Sequence, residues 1–258
     1  MKSVRDLEGL GVVVTRPLEP AKALARALEA RGARVFLFPA LAIEDIEPTP
    51  ELAAALDALP TAALAIFVSA HAVEKGLAAV RARGAWPPRV EVAGIGDATA
   101  QALRNSGFER VISPAGRHDS EGLLETARLR AVRGENIIVF RGEGGREQLK
   151  ETLESRGARV RYAQCYRRVR PTADAAPLIA AFDRGEVQAV SALSGETLEN
   201  FVQMLGPEGD RRLKAAALVV PHPAIGSHRA AARFARIMVC EPGADGLGSA
   251  LSQLRVAT

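Results

Sequence analysis

The chain has 258 residues, 48% hydrophobic and 25% charged, with a net charge of +4, which is apolar material enough to fill two cores of ordinary size. No apolar run approaches the roughly 18 residues of a membrane helix, and the opening MKSVRDLEGLG holds no apolar stretch of a secretory signal, so a cytoplasmic protein with no membrane partner is expected. The charge comes from 29 arginines and 5 lysines, a choice suited to bidentate recognition of carboxylate or phosphate. With 4% aromatic residues and no zinc-finger or helix-turn-helix pattern, no nucleic-acid partner is expected.

In chain order, the β-branched run Gly11 to Thr15 reads as a strand ending at Arg16. Leu24, Ala25 and Leu28 then share one helical face, Gly32 is placed as a helix C-cap, and Val35 opens the next strand, giving strand, helix, parallel strand. LAIEDIEP, Leu41 to Pro48, alternates and is ended by proline. AIFVSAHAV brings Ser69 and His71, and VEVAGIGDATAQAL brings Gly94, Gly96 and Thr99.

At Ile137 the pattern begins again. Arg16 and Arg141, Leu24 and Leu149, Leu28 and Leu153, and Ser69 and Ser194 are each 125 positions apart, and the phrase RGARV occurs in both copies. AQCYRRVRP, Ala163 to Pro171, takes the place of LAIEDIEP. HPAI stands where the first copy has GDAT, so His222 replaces a glycine and Ile225 replaces the threonine. The chain is thus an internal duplication that alternates apolar strands with Ala- and Leu-rich helices. An α/β fold follows, its parallel sheets covered by helices on both faces.

His71, His118, His222 and His228 have no ligand spacing, so no metal is expected. FRGEGGRE matches neither GxGxxG nor a phosphate loop, GxSxG is absent, and Cys165 and Cys240 read as buried reduced thiols. What remains is a set of small or hydroxylated residues at strand C-termini: Ser69, Gly94, Gly96, Thr99, Ser194 and Gly195. In a parallel sheet ligands bind at such loops, although each hydroxyl is equally placed to cap a helix. RGARVRYAQCYRRVR puts Arg156, Arg159, Arg161, Arg167, Arg168 and Arg170 in fifteen residues without an acid. The run is expected to meet an anion or to form a solvated face.

In order along the chain, VVVTRP, FVSAHAV, AGIGDATAQAL, SEGLL, FRGEGGREQL and the YRRVRP run resemble the uroporphyrinogen-III synthase family. The resemblance implies two similar discontinuous α/β domains, 1–40 with 172–258 and 45–163, joined by crossing linker strands at 41–48 and 164–171. It implies a monomeric enzyme without a cofactor that cyclises the linear tetrapyrrole hydroxymethylbilane, an octacarboxylate, with loss of water and inversion of the last ring. Tyr166 matches the family's linker tyrosine, the candidate to protonate or orient the leaving hydroxyl. Substrate binding is carried over to Arg16, Ser69, His71, Gly96, Thr99, Arg141, Gly142, Arg146, Ser194, Gly195 and His222. His71 stands where the family often has Asn, and both side chains donate a hydrogen bond. A non-catalytic two-domain protein that binds anions or tetrapyrroles would show the same duplication and arginines; binding without turnover distinguishes it.

Overall fold

The computed structural model describes residues 5–116, 119–145 and 147–256. Among them lie strands β1 (Gly11–Val14), β2 (Arg34–Leu37), β3 (Ala42–Glu44), β4 (Leu64–Phe67), β5 (Glu91–Gly94), β6 (Val111–Ile112), β7 (Asn136–Gly142), β8 (Arg159–Val169), β9 (Ala189–Ser191), β10 (Ala217–Val220) and β11 (Arg236–Val239). They form a five-stranded sheet ordered β11-β10-β9-β1-β2 and a six-stranded sheet ordered β3-β8-β7-β4-β5-β6. The two copies exchange their opening strands: β1, with β2 beside it at the edge, pairs with β9 of the second copy, and β7 and β8 pair with β4 and β3 of the first. Two compact units result, residues 1–42 with 169–258, and residues 43–168.

Each sheet is parallel at every pairing from β1 to β2, β9 to β11, and through β4 to β8. It is apolar on both faces because helices cover both. In the five-stranded sheet Val13 faces a core built on Phe201 and Phe38, while Val12 and Val14 face one built on Leu28 and Leu251. In the six-stranded sheet Ile138 and Phe140 face a core with Phe67, and Ile137 and Val139 face a core with Leu123 and Leu153.

The repeated RGARV ends a helix in the same way twice. After the helix Leu18–Ala30, Gly32 (φ +95°) donates to Glu29 O (2.9 Å) and Ala33 to Leu28 O (3.1 Å). After the helix Gln148–Ser155, Gly157 (φ +88°) donates to Glu154 O (2.8 Å) and Ala158 to Leu153 O (3.1 Å). This pair of bonds is the Schellman motif, which needs a left-handed residue that glycine supplies without steric cost. The motif's apolar contact is present in both copies, Ala33 in one core with Leu28 and Ala158 in one core with Leu153.

Four arginines of the dense run have separate partners within the protein. Arg156 donates to Leu124 O (2.7 Å) and Leu129 O (2.9 Å), Arg159 to Asn136 Oδ1 (2.9 Å) and Gly134 O (2.8 Å), Arg167 to Glu44 (3.1 Å), and Arg170 to Gln203. Adjacent side chains along an extended strand point to opposite sides, which separates charges that are contiguous in sequence. Strand pairing in LAIEDIEP is confined to Ala42–Glu44; beyond it Asp45 turns to Lys75 (2.7 Å).

Candidate functional site

In the unit of residues 43–168, the strand ends bring Ser69, His71, Gly142 and Tyr166 together. Ser69 caps the helix Ala70–Arg81: its Oγ accepts the Ala72 N–H at 3.0 Å. The same Oγ lies 3.0 Å from the Tyr166 hydroxyl. The capping role read from the sequence and a role beside Tyr166 are therefore held by one oxygen.

Tyr166 reaches Ser69 because of a bulge. Along β8, Ala163 and Cys165 face the Phe67 core, and strict alternation would turn Tyr166 to the other side with Tyr162. The register instead slips between Arg141↔Gln164 and Gly142↔Tyr166. Cys165 and Tyr166 consequently face the same core, where Tyr166 is 3% exposed. Its ring packs against Gly142, where a Cβ would stand 2.7 Å from Cε2 and 2.9 Å from Cζ. The Cys165 thiol is pushed up to about 12 by burial and stays protonated near Arg141 O (3.5 Å).

His71 lies in the first turn of the Ser69-capped helix, its ring centroid 6.2 Å from that of Tyr166. Burial, with help from Lys75 and Arg168 against Glu74, holds the imidazole below its usual value, so at neutral pH it carries one proton and one lone pair. Gly96 caps the helix Asp97–Asn105 without a side-chain bond, and Thr99 is buried in the first turn of that helix. Arg146 lies outside the described residues, as does His118.

Arg141 sits on the opposite face of β7 from Phe140 and Gly142. Its guanidinium donates to Glu147 Oε1 (3.1 Å) and to Gly144 O, and stacks 4.3 Å from the centre of the Tyr162 ring. Tyr162 in turn donates to Glu147 Oε2 (2.8 Å). Arg141 thus holds the loop after β7.

In the other unit, Arg16, Ser194, Gly195 and His222 follow β1, β9 and β10, all at the C-terminal edge of the five-stranded sheet. The Arg16 Nε is buried without a hydrogen-bond partner among the described residues, and burial lowers its pKa. A cation in that position is stabilised by an arriving anion. Ser194 caps the helix Gly195–Asp210, accepting from Thr197 N–H (3.1 Å) and sharing a bond with Thr197 Oγ1 (2.9 Å). His222 caps the turn Pro223–Gly226 by accepting from Ala224 N–H at 3.2 Å. Ile225 packs against the Phe201 core, so the GDAT-to-HPAI change replaces the threonine hydroxyl with packing.

Sequence reasoning passed over His228, whose Cδ2 is 2.7 Å from where a Cβ on Gly195 would stand and whose Nδ1 accepts from Ala230 N–H (3.2 Å). No motif marks it; only the second copy's altered loop brings it to the strand end.

Among the described residues no group of three or more His, Cys, Asp and Glu is placed to hold a metal ion, and no helix is long and apolar enough to cross a membrane. The chain is an α/β protein in which hydroxyls, histidines and helix N-termini stand at the parallel-strand ends of each unit, the place where ligands bind in parallel sheets. The chain belongs to the uroporphyrinogen-III synthase family, whose model, described as Uroporphyrinogen-III synthase HemD, matches residues 22–247. Uroporphyrinogen-III synthase of Escherichia coli is 30% identical over 197 residues, 76% of this chain and 80% of that protein. The Salmonella typhimurium enzyme of the same name is 34% identical over 194 residues, 74% and 78% of the two chains. The crystal structure of a mutant uroporphyrinogen III synthase from the extreme thermophile Thermus thermophilus shares the fold, with a TM-score of 0.62 at 20% identity over 96% of this chain and 98% of that one.

Proposed function

We propose that this chain closes hydroxymethylbilane to uroporphyrinogen III, with loss of water and inversion of the last ring, in tetrapyrrole biosynthesis. The observation that carries the reading is the family match across residues 22–247. The protein acts as a cytoplasmic monomer without nucleic acid. Its domains are 1–40 with 172–258 and 45–163, linked through 41–48 and 164–171.

The chemistry asks for carboxylate neutralisation, a folded conformation of a flexible chain, and help for a leaving hydroxide. As the hydroxymethyl C–O bond breaks, its electron pair leaves with oxygen, and the pyrrole nitrogen supplies electrons to form an azafulvene. Tyr166 gives the departing oxygen a proton. Ser69 suits it to this: a hydroxyl that accepts from Ala72 still has one proton to donate to the Tyr166 oxygen, which leaves the phenol proton for the substrate. The substituted carbon of the last ring attacks the methylene, and the spiro intermediate opens and recloses inverted. The proton released when that pyrrole regains aromaticity balances the one given to hydroxide.

His71, Gly96, Thr99, Gly142, Arg146, Ser194, Gly195 and His222 contribute neutral or cationic donors to the substrate, and Arg16 a guanidinium to one carboxylate. Arg141 acts through the loop it holds. Arg16→Gln is expected to raise KM about 10- to 100-fold, the worth of a charged hydrogen bond of roughly 1.5 to 3 kcal/mol, with Tm held. The loss should shrink as salt is added. Arg141→Met is expected to lower Tm together with activity, because Glu147 and Gly144 lose their donor. Thermal melts and Michaelis curves on both variants separate the roles; equal falls in Tm and activity for Arg16→Gln would make Arg16 structural.

The function itself is tested by giving the purified protein freshly made hydroxymethylbilane, oxidising the product and separating the isomers. Type III in excess over an enzyme-free control is expected. Type I alone, with the bilane bound, would mark a binding protein.

A further inference from the structure

Five large apolar side chains stand exposed among the described residues; of these Leu18, 47% exposed, follows Arg16 by two residues in the chain, and Leu193, 41% exposed, shares a cavity with it. Leu18 opens the helix after β1, and Leu193 sits on the turn after the neighbouring strand β9; the ends of these strands are tied by the Thr15 hydroxyl donating to Ser191 O at 2.7 Å. Leu193 and Arg16 line one small cavity with Ser191, Pro221, Glu241 and Gly243. Glu241 does not satisfy the buried Arg16 Nε there, which has no partner among the described residues. Leu193 directly precedes the Ser194 cap, the position from which an apolar residue can staple onto the helix's fourth residue, here the fully buried Leu198. Its exposure leaves much of the side chain free of that duty. Arg16 as a residue is half-buried, so its charge lies beside an exposed isobutyl group at the surface, a pairing that fits a ligand with an apolar ring and a carboxylate arm.

We propose that Leu193 is a specificity-determining residue of the substrate site, covering the face of the pyrrole whose carboxylate arm Arg16 takes. The inference rests on the function proposed above and adds to it a named contact for the ring. Water displaced from the pyrrole face by Leu193 stabilises the bound bilane, and the ring orients its arm toward Arg16.

The test uses the full-length protein and hydroxymethylbilane. Leu193→Ala is expected to raise KM about tenfold, the scale of losing apolar contact in a ligand pocket, with kcat held. Tm should stay at the parent value, and Leu193→Met should recover most of the KM. Combined with Arg16→Gln, the loss should fall short of the product of the two single losses, because both groups hold one ring. An unmoved KM, a Tm that falls with the activity as loss of a helix staple would give, or strictly multiplicative losses would each overturn the assignment. If the parent protein is active and Leu193→Ala matches it, this inference alone fails. If the parent protein turns nothing over, the proposed function fails and takes this inference with it.

Discussion

Tyr166→Phe is expected to fold and bind substrate as the parent protein does while turning over about 100-fold more slowly, the lower end of what a general acid supplies. The ring keeps its place over Gly142, where its edge is in contact range of a would-be Cβ, so packing in the Phe67 core is unchanged. What disappears is the hydroxyl 3.0 Å from Ser69 Oγ. Isomer analysis reads the role more sharply than the rate. If Tyr166 acts on hydroxide departure alone, the molecules that turn over still give type III, and type I appears only as uncatalysed closure outruns a slow enzyme. Raising the enzyme concentration then restores type III. Type I that persists at saturating enzyme would mean that Tyr166 shapes the bound tetrapyrrole, and the acid role would be lost.

Gly142→Ala is expected to be at least as damaging to turnover and to cost stability as well. The new methyl would meet ring carbons at 2.7 and 2.9 Å, distances that force the ring or the strand to move. Overpacking of this kind costs about 1 to 3 kcal/mol. The ring cannot slide deeper, because Phe140 and Phe67 are stacked in the same core with centroids 4.6 Å apart. Movement of either the ring or the strand that carries Gly142 disturbs the 3.0 Å approach of the hydroxyl to Ser69 Oγ even though Tyr166 is intact. Gly142→Ala combined with Tyr166→Phe should therefore be little slower than Gly142→Ala alone. Denaturant melts and single-turnover rates on the three variants decide the matter; a Gly142→Ala enzyme within a few-fold of the parent rate would show that the ring's position over Gly142 does not govern the chemistry.

Local chemistry along the chain determined much of this protein by itself. The helix face of Leu24, Ala25 and Leu28, the glycine caps at Gly32 and Gly157, and the buried β-branched strands depend on neighbours a few residues away, so periodicity and turn chemistry reveal them. The 125-residue repeat is likewise a property of the string, and so are the capping positions of Ser69 and Ser194. Tertiary structure decided the rest. Tyr166 faces Ser69 only because β8 slips one residue against β7, and a bulge in a parallel pair is specified by packing on both faces rather than by any local signal. Arg16 and Arg141 are equivalent in the repeat, yet Arg141 has Glu147, Gly144 and Tyr162 around it and Arg16 has a buried nitrogen with no partner among the described residues. Charge placement is set by which distant side chains arrive beside it, and that information is carried by the fold and not by the repeated phrase.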